Sequence, residues 1–246
     1  MRSINKFLVL VALLFISSGS FAQATSCDNA YNPLANCSFE SGDFTGWTVK
    51  DIAAPFSPAQ VITAGNSLGF GFFDTAPTDG TFVSLNGFDG GGPDTIEYSQ
   101  DITLPIDAGE LTFDYRAGWD MDGFCGGCTG SRIFTVEIQP SGGGAALASQ
   151  DFLMANPGEV NLDTGDLSGS FSLNAYKGQS VRIMFLWTIP EAFTGPAQFQ
   201  LDNVNIITGA PVLPAVAIPT LSATGLTSLA LLMLLFAYLG INRRTA

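Results

Sequence analysis

Leu111-Thr112-Phe113-Asp114-Tyr115-Arg116 decides the fold class, and Phe134-Thr135-Val136-Glu137-Ile138 repeats its pattern. In both stretches apolar and polar residues alternate with a period of two. A helix would scatter such apolar residues around its axis, whereas a strand gathers them on one face, so both predict half-buried antiparallel strands. Working outward, further strands are expected over 47–52, 60–63, 70–73, 81–85, 96–104, 147–153, 169–173, 181–188 and 199–207. The run SVRIMFLWTI is apolar on both faces, which predicts a strand through the middle of a sheet. Turn formers punctuate these runs: Asn86-Gly87, Gly90-Gly91-Gly92-Pro93, Gly142-Gly143-Gly144, Asn156-Pro157-Gly158 and Lys177-Gly178. Many short strands with Gly and Pro turns, and no amphipathic helix between them, predict an all-β antiparallel β-sandwich of jelly-roll type. No internal repeat is evident, which argues against a propeller or β-helix.

Both ends of the chain differ from this body. Arg2 and Lys6 precede the apolar run from Phe7 to Ile16, and small residues lead to Ala22-Gln23-Ala24, the pattern of a secretory signal peptide over residues 1–24. At the other end no charge interrupts Leu221 to Ile241; at 1.5 Å per residue that stretch reaches about 31 Å, enough to cross a bilayer. Arg243 and Arg244 follow, and clustered cations mark the cytoplasmic side, so the bulk of the chain is expected outside. The expected plan is therefore a leader, a β-sandwich ectodomain over 25–209, a Pro-containing linker over 210–220, and a membrane helix with its Arg-ended tail over 221–246.

All 22 acidic residues fall within 25–209, against Lys50, Arg116, Arg132, Lys177 and Arg182; five minus 22 gives that region a formal charge of −17. Such a surface repels nucleic acid and favours solubility or divalent cations. The chain has no histidine, which removes Ser-His-Asp and Cys-His nucleophilic chemistry and histidine metal sites. Glycoside hydrolysis needs only two carboxylates and stays open on paper. Among 22 acidic residues a suitably spaced pair arises by chance, so the expectation is a protein without catalytic activity. An exported chain with four cysteines is expected to form disulfides, and of three connectivities the local one, Cys27 with Cys37 and Cys125 with Cys128, is the choice. The CGGC stretch could instead be a redox pair, but no helix follows it as that motif requires.

The loop AGWDMDGFCGGCTGSR between two strands collects candidate ligand-binding residues: Trp119, Asp120, Asp122 and Phe124. Aromatic faces beside carboxylates suit the apolar faces and hydroxyls of a sugar ring. The alternative is that Trp119 caps the core while the aspartates are merely solvated. Asp120-Met121-Asp122-Gly123 also opens like a calcium loop, without the downstream Glu that an EF-hand needs. On the closing strand, Phe199 and Leu201 share one parity while Val204 and Ile206 take the other, so the alternation slips by one at Asp202-Asn203, as a β-bulge would make it.

Two resemblances add to this reading. Ile218, Pro219, Thr220, Leu221 and Gly225, followed by the helix and the Arg243-Arg244 pair, resemble the IPTL-type C-terminal sorting domains, related to the PEP-type tails that exosortases process; Thr224 stands where that pattern has Trp. The resemblance implies a membrane-anchored precursor and an exosortase-type sorting enzyme as partner. NCSFESGDFTGW and LDNVNI resemble the opening and closing signatures of galactose-binding-like jelly-roll modules, with Cys37 in place of a usual Gly. That likeness implies a non-catalytic carbohydrate-binding or surface module that meets extracellular polysaccharide, and many such modules carry a structural Ca²⁺. The carried-over ligands are Glu40 and Asp202, with Asp43 as a third contributor, against the alternative that all are solvated turn residues. A structural surface or matrix protein without a small ligand is the competing function.

Overall fold

The computed structural model describes residues 32–53, 55–89, 91–123, 130–191 and 195–208. The leader, the linker, the sorting motif, the C-terminal helix with Arg243 and Arg244, and also Cys27, Phe124, Cys125 and Cys128, lie outside the described residues. Among the described residues no helix is long and apolar enough to cross a membrane.

Eleven strands are described: β1 (Thr48–Lys50), β2 (Ser57–Thr63), β3 (Phe82–Phe88), β4 (Asp94–Thr103), β5 (Ala108–Asp120), β6 (Arg132–Pro140), β7 (Ala148–Ala155), β8 (Val160–Asn161), β9 (Leu167–Ser172), β10 (Ser180–Ile189) and β11 (Ala197–Thr208). They form two antiparallel sheets, β1-β4-β10-β6-β7 and β2-β3-β11-β5-β8, with β9 also on β5, so the chain is a β-sandwich. The run SVRIMFLWTI is β10, paired on both sides along nearly its full length: Phe185 faces Tyr98 of β4 and Val136 of β6.

The alternation read from the sequence builds the core. Leu111, Phe113, Tyr115, Ala117 and Trp119 of β5 point inward to meet Phe134, Val136 and Ile138 of β6 and Val181, Ile183, Phe185, Trp187 and Ile189 of β10. Phe134 stands at the centre, its ring 4.5 Å from that of Phe199, 5.9 Å from Phe113 and 6.3 Å from Phe185. Each such ring removed from water contributes roughly 1.5–3 kcal/mol, which makes this cluster the main hydrophobic term of the fold.

Two expectations are corrected. Asn86-Gly87 is not a turn but the interior of β3; the Asn86 side chain is buried, donating to the Tyr98 hydroxyl at 3.1 Å, and Gly87 leaves room for Leu68, whose side chain a Cβ would strike. Residues 70–73 are not a strand but part of the long connection from β2 to β3. Gly69, Phe70 and Gly71 all have positive φ, 90°, 57° and 79°, and left-handed backbone cannot extend a ladder.

Gly169 of β9 lies opposite Phe113 of β5, and a Cβ there would strike the Phe113 ring, itself held by Phe134, Phe152 and Phe185. Gly169→Ala is therefore expected to cost about 1–3 kcal/mol, lowering the midpoint of thermal unfolding by several degrees in a circular-dichroism melt. An unchanged midpoint would mean that the ring cluster is free to rearrange.

Candidate functional site

The site is built on the outer face of β11. Gln198, Gln200 and Asp202 point away from the core, yet none is more than 1% exposed, because the chain from Ala64 to Thr81 folds back over them. A connection laid over a sheet strands its own backbone groups unless something answers them. Here the amides do so. Gln198 accepts from Leu68 N at 2.9 Å and donates to the Phe73 carbonyl at 2.7 Å; Gln200 accepts from Ala76 N at 3.1 Å and donates to the Ala76 carbonyl at 2.8 Å. Asp202 Oδ2 accepts from Thr78 N at 2.7 Å and from Asp79 N at 3.1 Å, with the Thr78 hydroxyl at 3.3 Å. From the other end of the chain, Glu40 Oε1 accepts from Thr81 N and Phe82 N, each at 2.8 Å.

The slip in alternation on the closing strand is a bulge: the pairing of β11 with β5 shifts register between Asp202 and Asn205, and Asn203 sits at φ 51°. Asn tolerates the left-handed region better than most residues, and its side chain donates to Asp114 Oδ2 at 2.8 Å. The bulge aims the Asp202 carboxyl into the covered layer, where burial pushes its pKa up to about 7 against the pull of its four donors. The opening signature has a mechanical explanation too. Asn36, at φ 50°, donates to the Asp43 and Thr45 carbonyls at 2.9 and 3.0 Å and accepts from Ser41 N at 3.0 Å, closing a turn that seats Phe39, fully buried, against Trp47 at 5.6 Å. Val204 N donates to the Cys37 carbonyl at 3.0 Å, which ties the two signatures together. Cys37 is buried and disulfide-bonded, and its partner lies outside the described residues.

The pinned connection displays one exposed aromatic, Phe70, against a second, Phe56, that immediately precedes β2. Phe56 is 56% and Phe70 41% exposed, their rings 5.6 Å apart at 62°, with the buried Phe72 ring 6.2 Å behind Phe70. Next to them Phe73 is buried under the Arg116 guanidinium at 4.5 Å, which two 2.7 Å bonds hold to Asp163. Sequence reading passed over this pair because it placed residues 70–73 in a strand. The signal that could have found it is Gly69-Phe70-Gly71, an apolar residue between two glycines.

The residues predicted from the sequence fall out differently. Trp119 is 4% exposed and continues the inward row of β5, so its ring caps the core and is no stacking surface; the alternative reading of that position holds. Asp120 Oδ1 accepts from Asp122 N at 3.2 Å and Gly123 N at 2.9 Å, capping its own turn, and Asp122 is exposed. Asp43 is likewise used locally, its carboxyl held low by the Ser41 hydroxyl and then by Thr45, and it makes none of the bonds that grip residues 78–82. Glu40 and Asp202, 162 residues apart in sequence, do grip that one turn. Among the described residues no three acidic or cysteine side chains gather into a metal-holding group. Arg132 was missed as well. Its guanidinium is fully buried, bonded to Glu191 Oε1 at 2.7 Å and the Gly195 carbonyl at 2.8 Å, and lies 4.6 Å above the Phe88 ring. Its parity with Phe134 and Val136 already placed it on the inward face.

No protein-family profile matches this sequence, and no curated protein matches it either. Solved structures to which it is similar include TmCBM61 in complex with β-1,4-galactotriose, at 16% identity over 72% of this chain and 98% of that one, with a TM-score of 0.43. A cyclase from Fischerella sp. TAU in complex with 4-(1H-indol-3-yl)butan-2-one is 19% identical over 72% and 96%, with a TM-score of 0.44. The module CBM27-1 of Caldicellulosiruptor saccharolyticus in complex with mannohexaose is 14% identical over 69% and 94%, with a TM-score of 0.40. With every one of these TM-scores below one half, none tells what this chain binds.

Asp202 makes stability depend on pH in a stated direction. Its folded pKa of about 7 lies above the ordinary 3.8, so the native state holds the proton more tightly. The stability this contributes is fully present below pH 3.8 and is lost as pH rises through 7. Measured in chelator by urea unfolding, the stability of wild type relative to Asp202→Asn should fall from pH 4 to pH 7, by on the order of 1.4 kcal/mol per pH unit, and level off above. A flat difference would show that the carboxylate stays charged at that site.

Proposed function

We propose that this chain is an exported, surface-directed β-sandwich protein that binds glycan without transforming it, and that the Phe56–Phe70 ledge is where the sugar stacks. The observation that carries this reading is the exposure of two adjoining rings, Phe70 on the connection that Gln198 and Gln200 clamp and Phe56 immediately before β2. Exposed aromatics on rigid backbone offer a flat apolar surface to the C–H face of a sugar ring at little entropic cost. The ligand class is an uncharged polysaccharide. Of the five basic residues in the exported region, Lys50 is paired with Asp94 and Glu97, Arg116 with Asp163, Arg132 with Glu191 and Arg182 with Asp101, leaving Lys177 to meet an anionic sugar. The leader, the IPTL-type tail and its exosortase-type processing give the route to the cell surface, with the local disulfide pairing set in that oxidising compartment.

A structural Ca²⁺ belongs to the same proposal. Glu40 and Asp202 are carboxylates converging on one turn, and a cation there would relieve the cost of burying the Asp202 charge. Its part would be to stiffen the turn over residues 78–82; the sugar contacts belong to the chain's own residues.

On a polysaccharide panel, wild-type protein should be retained by an uncharged glycan, and Phe56→Ala or Phe70→Ala should weaken that retention about tenfold or more, worth about 1.4 kcal/mol. Their melting temperatures should stay within a few degrees, since both rings are exposed. Retention on nothing in the panel would leave the structural matrix protein as the better reading. For the cation, chelator should lower the wild-type melting temperature, while the Glu40→Gln, Asp202→Asn double variant should ignore added calcium. A wild type indifferent to chelator would remove Ca²⁺ from the proposal.

A further inference from the structure

Between the two sheets, away from the ledge, Asn86 of β3, Tyr98 of β4 and Trp187 of β10 line a cavity of about 10 Å³ that the rings of Phe134, Phe185 and Phe199 help enclose. Its polar lining does not satisfy itself. Asn86 Oδ1 and Trp187 Nε1 are buried and have no hydrogen-bond partner in the protein. The Asn86 Nδ2 donates to the Tyr98 hydroxyl at 3.1 Å, which leaves the phenol's own hydrogen to be placed. Burial raises the Tyr98 pKa, so that hydrogen is present throughout the physiological range.

One acceptor and two donors thus face a space whose size admits a single water and nothing larger, since one water needs about 10–15 Å³ of this kind and makes about three hydrogen bonds when buried. We propose that this cavity binds one ordered water, which accepts from Trp187 Nε1–H and from the Tyr98 hydroxyl and donates to Asn86 Oδ1. Turning the Asn86 amide over would exchange its free acceptor for a free donor, and water, which does both, still answers it. The bound water joins β3, β4 and β10, and so links the two sheets by polar bonds in the middle of an aromatic core. It also accounts for a buried Asn in β3 at a position where an apolar residue would pack without cost.

The test uses the full chain with its tryptophan indoles labelled with nitrogen-15. A dipolar cross-peak from water to the Trp187 indole hydrogen, with the sign of a long-lived contact and not of exchange, is the expected result. Trp187→Phe identifies the resonance by removing it; if that variant does not fold, contact with the Phe199 ring, 5.0 Å from Trp187, identifies it in wild type. Asn86→Leu, which fills the space and removes the acceptor, should abolish the cross-peak while the indole signal remains. Absence of a dipolar cross-peak in wild type would overturn the proposal, and so would its persistence in Asn86→Leu.

Discussion

A connection that crosses the face of a sheet must find partners for its own backbone, and in this protein that constraint is met from a single strand. Three alternate residues of β11, two amides and a carboxylate, bond the chain between Ala64 and Thr81 in sequence order, so the covering segment is registered against the strand almost as another strand would be. The same device recurs on the other sheet, where Gln100 of β4 accepts from Ala35 N at 2.7 Å and donates to the Ala35 carbonyl at 3.0 Å. Buried amides of this kind contribute little net stability one by one, but an unanswered backbone group costs more than the bond gains, so they decide where a loop can lie. Phe70 owes its place on the ledge to that ladder, which bonds the chain on both sides of it at Leu68 and Phe73.

The β11 bulge puts a cost into the same place. By turning Asp202 under the connection it secures two backbone donors, yet it removes a carboxyl from water with no cation among the described residues bonded to it. Burial of an acid is tolerated when donors surround it, and here four do, though desolvation still outweighs them. The turn over residues 78–82 is thus held by a group whose charge is expensive, which makes its hold depend on pH. Arg132 carries a cost of the same kind: burial lowers the pKa of its guanidinium despite Glu191, a carbonyl and an aromatic face.

The sequence by itself determined the sandwich, because period-two alternation in β5 and β6 and the all-apolar β10 state which side chains must be hidden, and strands are the geometry that hides them together. It also determined the bulge, since a slip of parity from Leu201 to Val204 admits no other explanation within one strand. What it could not determine is which outward-facing positions stay wet. Gln198, Gln200 and Asp202 carry the parity opposite to Phe199 and Leu201, which says only that they face away from the core, and Trp119 stands in a loop by its neighbours. Only the tertiary structure, by laying a distant connection across β11 and closing the sheets over the end of β5, buries all four and leaves Phe56 and Phe70 outside. The physical reason is that alternation encodes the two faces of a strand, whereas burial of the outer face depends on contacts between segments over a hundred residues apart, which no local pattern records.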